Sequence, residues 1–195
     1  MDGRPKSVTQ QCGDDYLRRD YYTLNAMVEM EDANSPVTKV HEYWLDLKNG
    51  AAIAPKADAF MSSKLWEMKI PDRVTIIDCS AENPLDFKFA RHAYDVSDND
   101  WIFGGRITGK SISRIPSSTL LGALEGDYLF AKSFPDSAML RYTGIRQQIN
   151  GVHRDFTRLL LPFTGVNNDV SMLVAVTRLR NPTVIDNNMG PHSKN

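Results

Sequence analysis

Three apolar segments follow one another in the second half of the 195-residue sequence, at Leu140–Ile149, His153–Phe163 and Val170–Leu179. The Asn150-Gly151 pair between the first two suits a tight hairpin turn, and the second break, 165–169, is also rich in turn residues. We therefore predict three sequential antiparallel strands. The continuous apolar blocks LLLPF and MLVAV indicate that both faces of this sheet are largely covered, which requires packed helices.

Composition and charge restrict the class of protein. Apolar residues make up 42% of the chain, which is enough for a hydrophobic core. The formal net charge is −1, and this balance argues against a general nucleic-acid surface. No apolar run reaches the length of a membrane span, and the N-terminal residues lack the apolar segment of a signal peptide. We expect a cytoplasmic protein with no nucleic-acid partner and no membrane span.

The cysteines and histidines show no spacing typical of a metal site. Cys12 and Cys79 are far apart in the sequence, and Cys79 is expected to be a buried, unreactive thiol. None of the four histidines lies at metal-ligand spacing from another candidate ligand.

The chain divides into an N-terminal extension, a central domain and a tail. Residues 1–34 form the extension, in which 1–14 are polar and predicted to be disordered. The segment Asp15–Met30 has apolar residues at helical spacing and is predicted to be a helix. The central domain covers 35–181, and 182–195 is predicted to be a disordered tail.

Local signals define the elements of the central domain. Ser35 suits a helix N-cap before Pro36, and Asn49-Gly50 suits a helix end, so we predict a helix over Pro36–Lys48. Trp44 is expected to anchor this helix to the core. The further predicted elements are a short helix at Met61–Met68, strands at Arg73–Cys79 and Phe87–Tyr94, and a long helix at Ser117–Phe134.

A helix, two strands, an interrupted helical connection and three strands form the element order of a PAS domain. The segments HEYWLDLKNGAAIAPKADAF, IPDRVTIIDC, DFKFARHAYDV, RITGKSI and FTRLLLPF resemble the stand-alone bacterial PAS-like family common in alphaproteobacteria. The resemblance covers roughly residues 40–180. It implies an α+β fold with a five-stranded antiparallel sheet, a helical crossover and an N-terminal helical extension. The implied spatial order is 2-1-5-4-3, with strands numbered along the chain.

The resemblance also implies a non-catalytic sensory or regulatory role in signal transduction. PAS domains bind small molecules or dimerise to pass on a conformational change, and here the output would act on a separate signalling protein. PAS haem ligands often lie in the long helix, which has no histidine in this chain, and Cys79 lies outside a flavin-linking motif. We therefore expect no cofactor and a colourless protein.

Three arginines lie in or beside predicted strands, namely Arg91, Arg141 and Arg158. An arginine in an apolar context needs a partner, which is either an internal carboxylate or carbonyl, or an acidic ligand held in a pocket. The residues expected to contact a ligand are Arg91, His92, Tyr128, Tyr142 and Arg158.

Other functions remain as alternatives. GGRITGKS has the spacing of a phosphate-binding loop, but no buried strand precedes it and no helix is predicted at Ser111, so we interpret it as a turn.

A small enzyme of the ketosteroid-isomerase type would need an Asp/His or Tyr/Asp set in a pocket. A structural interaction protein would have a filled core, so the presence of a pocket separates these functions.

The composition of the N-terminal segment also predicts that the chain forms a homodimer. Residues 15–48 are rich in apolar and aromatic side chains, which suggests a homodimer with much of its contact in this segment. In the competing interpretation, both predicted helices fold back onto the sheet of their own chain.

Overall fold

The computed structural model describes residues 5–91, 107–135, 140–149 and 151–180. Its centre is one antiparallel sheet of seven strands in the spatial order β1-β2-β5-β6-β7-β3-β4. The strands are β1 Lys6–Cys12, β2 Asp15–Tyr22, β3 Val74–Asp78, β4 Lys88–Arg91, β5 Arg141–Ile149, β6 Val152–Thr164 and β7 Val170–Leu179. The α-helices are α1 Leu24–Met30, α2 Pro36–Lys48, α3 Ser63–Glu67 and α4 Ser118–Ser133.

The prediction of a five-stranded sheet is wrong, because the sheet has seven strands. The five strands that were predicted keep their expected relative order, β4-β3-β7-β6-β5, and α4 lies in the connection from β4 to β5. The two additional strands, β1 and β2, extend the sheet beyond β5.

The predicted N-terminal helical extension is also wrong. The first half of the segment expected to be helical is strand β2, and only its second half forms a helix, α1. Strand β2 pairs with β5 over seven residues, from Tyr16 opposite Gln148 to Tyr22 opposite Tyr142. Part of the segment expected to be disordered is strand β1, joined to β2 by a turn in which Gly13 has a φ of +59°. Backbone pairing with β5 supplies the long-range contacts that favour the extended conformation over the local helical pattern.

Helix α2 has the predicted bounds, Pro36–Lys48. The Ser35 hydroxyl accepts a hydrogen bond from the Thr38 N–H, and Asn49 ends the helix in the left-handed conformation at a φ of +46°. Trp44 is fully buried, and its indole N–H donates to the Pro162 carbonyl across 2.8 Å. The predicted anchoring role of Trp44 is therefore confirmed.

Both faces of the sheet carry a hydrophobic layer, as the continuous apolar blocks predict. Helix α4 and the turn at Ile112–Arg114 cover one face, with core residues such as Leu160, Leu173 and Ala175. The N-terminal helices cover the other face, where the core includes neighbours of these residues in the same strands, Leu161 and Val174. Alternate residues of β6 and β7 thus enter opposite layers, and both layers are filled with side chains.

The turn within GGRITGKS pairs with β4, since the Gly109 N–H donates to the Phe89 carbonyl across 2.7 Å. A single 3-10 turn, Ile112–Arg114, follows Ser111, so no α-helix begins where a phosphate-binding loop requires one. The first residues of this motif, 104–106, lie outside the described part of the chain.

Several of the apolar residues that suggested a homodimer are covered within one chain, whereas Val28 is 70% exposed. Leu17, Met27 and Trp44 are buried against the chain's own sheet and helices. The segment therefore folds back on its own sheet, although its first part does so as a strand and not as a helix. A homodimer stays a prediction, and it would need a surface other than these buried side chains.

Candidate functional site

The four predicted ligand contacts that the structure describes do not converge on one site. Arg91 donates from Nη2 to the Pro71 carbonyl across 3.3 Å, and its guanidinium lies over the Trp66 ring. Tyr128 is buried inside the layer between α4 and the sheet. His92 lies outside the described residues.

Tyr142 and Arg158 each pair with an internal carboxylate. The Tyr142 hydroxyl donates to Glu31 Oε1 across 2.7 Å, and burial together with Glu31 raises the pKa of this tyrosine. Nη2 of Arg158 donates to Oδ2 of Asp127 in a buried ion pair. The internal carboxylate, one of the two partners considered for a strand arginine, is therefore the partner of Arg158.

Asp127 is the centre of a buried polar cluster between α4 and the sheet. Its carboxylate, which is 1% exposed, accepts from Arg19 Nη1 at 3.2 Å and from the Tyr21 hydroxyl at 2.9 Å, in addition to Arg158. Arg141 Nη1 lies 3.7 Å from the same carboxylate. We call these five residues the Asp127 cluster.

The Asp127 cluster has more positive than negative charge. Three guanidiniums face one carboxylate, and Arg19 and Arg158 are themselves buried. Arg19 has two further acceptors, the Ala123 carbonyl at 3.0 Å and Gln10 Oε1 at 3.1 Å. The excess charge is consequently least compensated at Arg141, which makes the longest contact with Asp127 among the three arginines.

Arg141 connects the cluster to a groove at the end of the sheet. Its guanidinium carbon lies 3.6 Å from the centre of the Phe130 ring and 4.6 Å from that of Tyr21, so aromatic rings pack on the guanidinium. The groove has a volume of about 600 Å³. We call it the hairpin groove, and its lining residues are Lys6, Val8, Tyr21, Tyr22, Thr23, Leu24, Asn25, Phe130, Leu140, Arg141 and Tyr142.

The hairpin groove combines apolar walls with a few polar groups, as ligand sites in proteins commonly do. Its lining contains two cations, Lys6 and Arg141, and no carboxylate among the described residues. Burial and the neighbouring Asp127 raise the pKa of Tyr21, so its hydroxyl is a protonated hydrogen-bond donor at neutral pH.

Two other surface cavities of similar size lack this charge excess. The cavity between α2 and α3, of about 640 Å³, is lined by lysines and carboxylates in equal number. The cavity of about 550 Å³ beside the β6–β7 turn includes Lys132, but its ammonium already donates to the Cys79 carbonyl at 2.8 Å and the Ala81 carbonyl at 2.5 Å. The hairpin groove is therefore a better candidate for binding a ligand than either of these two cavities.

The described residues contain no group of three or more His, Cys, Asp or Glu that could hold a metal ion. Within the same residues, no helix has the length and apolar character needed to cross a membrane. Cys79 is buried, as predicted from its position after a strand.

No family model, curated protein or solved structure matches this chain.

Sequence reasoning missed most of this site. Of the Asp127 cluster, only Arg141 and Arg158 were identified from the sequence as arginines in need of a partner. One signal was present, since Asp127 lies within the apolar helical segment TLLGALEGDYLF, where a carboxylate on a buried face needs a cationic partner. Arg19 and Tyr21 were missed because their segment was predicted to be a helix.

Proposed function

We propose that this chain is a non-catalytic sensory or regulatory module that binds a small molecule in the hairpin groove and acts on a separate signalling protein. The groove carries the proposal, because its volume of about 600 Å³, apolar walls and few convergent polar groups are typical of a small-molecule site. A cytoplasmic location is part of the proposal and rests on the sequence alone.

A route for the signal is part of this proposal. Asp127 lies on α4, whereas its partners Arg19, Arg141 and Arg158 lie on β2, β5 and β6. The Arg141 guanidinium already lies beside the Asp127 carboxylate. A ligand that binds Arg141 would therefore change the interaction between these two charges. Binding would thereby alter how α4 is held against the sheet, which is a change that a partner protein could detect.

The arrangement of Asp127 supports the non-catalytic part of the proposal. Tyr21 and Asp127 form a Tyr/Asp pair, as a ketosteroid-isomerase-like enzyme would require. However, the Asp127 oxygens already accept from Arg19, Arg158 and Tyr21. A carboxylate with this set of partners is poorly placed to accept a proton from a substrate.

The relationship to the PAS-like family is also proposed, with the relative order of β3 to β7 and the quoted motifs as its support.

A second candidate function is that of a structural interaction protein. The filled layers on both faces of the sheet favour this candidate, because the groove lies at the end of the sheet and not within its core.

A thermal-shift screen with a chemically diverse small-molecule library tests the binding function. A compound that binds the folded state stabilises it by an amount that rises with the logarithm of one plus the ratio of its concentration to its dissociation constant. We expect concentration-dependent stabilisation that Val8→Trp removes, because Val8 lines the groove. Thr9→Trp is the matched control, since Thr9 is exposed and its side chain points to the opposite face of β1. The proposal fails if no compound stabilises the protein, or if Val8→Trp leaves the stabilisation intact.

A further inference from the structure

The charge of the hairpin groove indicates the chemical class of its ligand. Arg19 and Arg158 are buried and donate to Asp127, whereas Arg141 is partly exposed and makes the longer contact of 3.7 Å. Nε is buried without a hydrogen-bond acceptor among the described residues in all three arginines of the cluster, so this atom does not distinguish Arg141. The Arg141 side chain is 21% exposed, against 8% for Arg19 and 7% for Arg158, so Arg141 is the member of the cluster that an anion can reach.

The surroundings of Arg141 favour binding through the edge of its guanidinium. The rings of Phe130 and Tyr21, at 3.6 Å and 4.6 Å from the guanidinium carbon, pack on the planar group and restrict its orientation. A guanidinium held in this way presents N–H groups in its plane, and this geometry matches the two oxygens of a carboxylate. A guanidinium that is preorganised by such packing loses less entropy on binding.

The rest of the groove is suited to an apolar body attached to the anionic group. Val8, Leu24, Phe130 and Leu140 supply apolar surface, while Lys6 supplies a second positive charge. A strongly hydrated dianion such as phosphate would leave this apolar surface unused. A carboxylate with an aromatic or aliphatic body would use both parts of the lining.

We infer that the hairpin groove binds a small organic carboxylate, with Arg141 as the group that contacts the anion and the apolar lining as the site for its body. This inference rests on the proposed binding function and names the class of ligand. Lys6 adds long-range attraction, and Tyr21 and Phe130 are positioning residues for Arg141.

Calorimetric titration with matched probes tests the inference. The probes are 4-phenylbutyrate, its neutral amide 4-phenylbutanamide, and phenyl phosphate. We expect the carboxylate to bind about tenfold or more tightly than the amide, since a charge-assisted hydrogen bond is stronger than a neutral one. Arg141→Gln should remove this preference, and Arg141→Lys should restore it only in part because lysine lacks the planar fork.

Arg146→Gln is the control for the loss of one arginine from β5. Arg146 lies on the same strand but on the opposite face, where its side chain is 51% exposed and pairs with Asp20 at 3.5 Å. The carboxylate preference should survive in this variant. Circular dichroism should show the same fold in both Gln variants.

Three results would overturn the inference. Equal binding of the acid and the amide would exclude the anion contact while leaving the groove as a small-molecule site. Tighter binding of phenyl phosphate would assign the groove to a different class of anion. Binding of neither the acid nor the amide would also exclude the inference, whereas the library screen with Val8→Trp decides separately whether the groove binds any small molecule.

Discussion

The hydroxyl of Tyr142 donates a hydrogen bond across 2.7 Å to Oε1 of Glu31, which lies 111 positions earlier in the chain. Thr157 Oγ1 donates to the same oxygen at 2.7 Å, and Arg178 Nη1 donates to Oε2 at 2.7 Å. Glu31 is 8% exposed and directly follows α1. Its carboxylate thus fastens the segment between α1 and α2 to three neighbouring strands, β5, β6 and β7.

Glu31→Gln should lower the free energy of unfolding by about 1–3 kcal/mol, because buried donors lose a charged acceptor. Urea denaturation of both proteins measures the difference. Glu67→Gln is a suitable control, since the Glu67 side chain is 60% exposed and pairs only with the neighbouring Lys64 among the described residues. A loss no larger than that of the control would show that the Glu31 hydrogen bonds do not stabilise the fold.

The Glu31 carboxylate also predicts that the free energy of unfolding depends on pH. Burial alone would raise the pKa of Glu31, but hydrogen bonds from Arg178, Thr157 and Tyr142 outweigh it and hold the pKa below its ordinary value of 4.5. The folded state therefore binds this proton less readily than the unfolded state. The stabilisation is present above pH 4.5 and is lost as the pH falls through the lower pKa of the folded state.

Urea denaturation of the wild type and Glu31→Gln at several pH values tests this pH dependence. The difference between their free energies of unfolding should be largest near neutral pH and should shrink as the pH is lowered below 4.5. A difference that stays constant over this range would show that the charge of Glu31 is not the source of the stabilisation.

Elements with strong local signals were predicted well from the sequence. Helix α2 has both bounds as predicted, because each end is determined by a residue next to it in the sequence. Ser35 caps its start and Asn49 ends it. The strands of the β5–β6–β7 meander were predicted because their apolar blocks and turns are contiguous in sequence. In each of these cases, the interactions that determine the structure lie close together along the chain.

The hairpin β1–β2 was missed because its sequence fits two patterns. Leu17 and Tyr21 fit a helical stripe, but with Arg19 they also form one face of a strand. Pairing with β5, more than a hundred residues later, decides between them. The Asp127 cluster depends on this hairpin and on α4, so neither its members nor the hairpin groove could be assembled from local patterns.

Asp127→Asn should destabilise the fold by about 3–5 kcal/mol, because it leaves Arg19 and Arg158 as buried charges without a carboxylate. Chemical denaturation measures the loss. Asp72→Asn is the control, since Asp72 is 41% exposed and pairs with its neighbour Arg73. Adding Arg158→Met to Asp127→Asn should recover part of the stability by removing one uncompensated charge. Equal stability of Asp127→Asn and the control would contradict the assigned role.

Trp44→Phe should lower the free energy of unfolding by about 1–3 kcal/mol, through the lost hydrogen bond to the Pro162 carbonyl and the smaller buried ring. Trp66→Phe should have a much smaller effect, because Trp66 is 59% exposed. Thermal unfolding followed by circular dichroism compares the two variants. If they are equally stable, Trp44 does not anchor α2 to the sheet.

The two cysteines should differ strongly in reactivity. Cys12 is exposed, whereas Cys79 is buried, its Sγ lies 3.8 Å from the Val170 carbonyl, and burial raises its pKa to about 12. Because the thiolate is the reactive form, Cys79 should be inert at neutral pH in the folded protein. A chromogenic disulfide reagent should therefore detect one fast thiol in the native protein and two after denaturation. Cys12→Ser should abolish the fast reaction and Cys79→Ser should retain it, so a fast reaction in Cys12→Ser would show that Cys79 is accessible and that the layer beneath α4 opens readily.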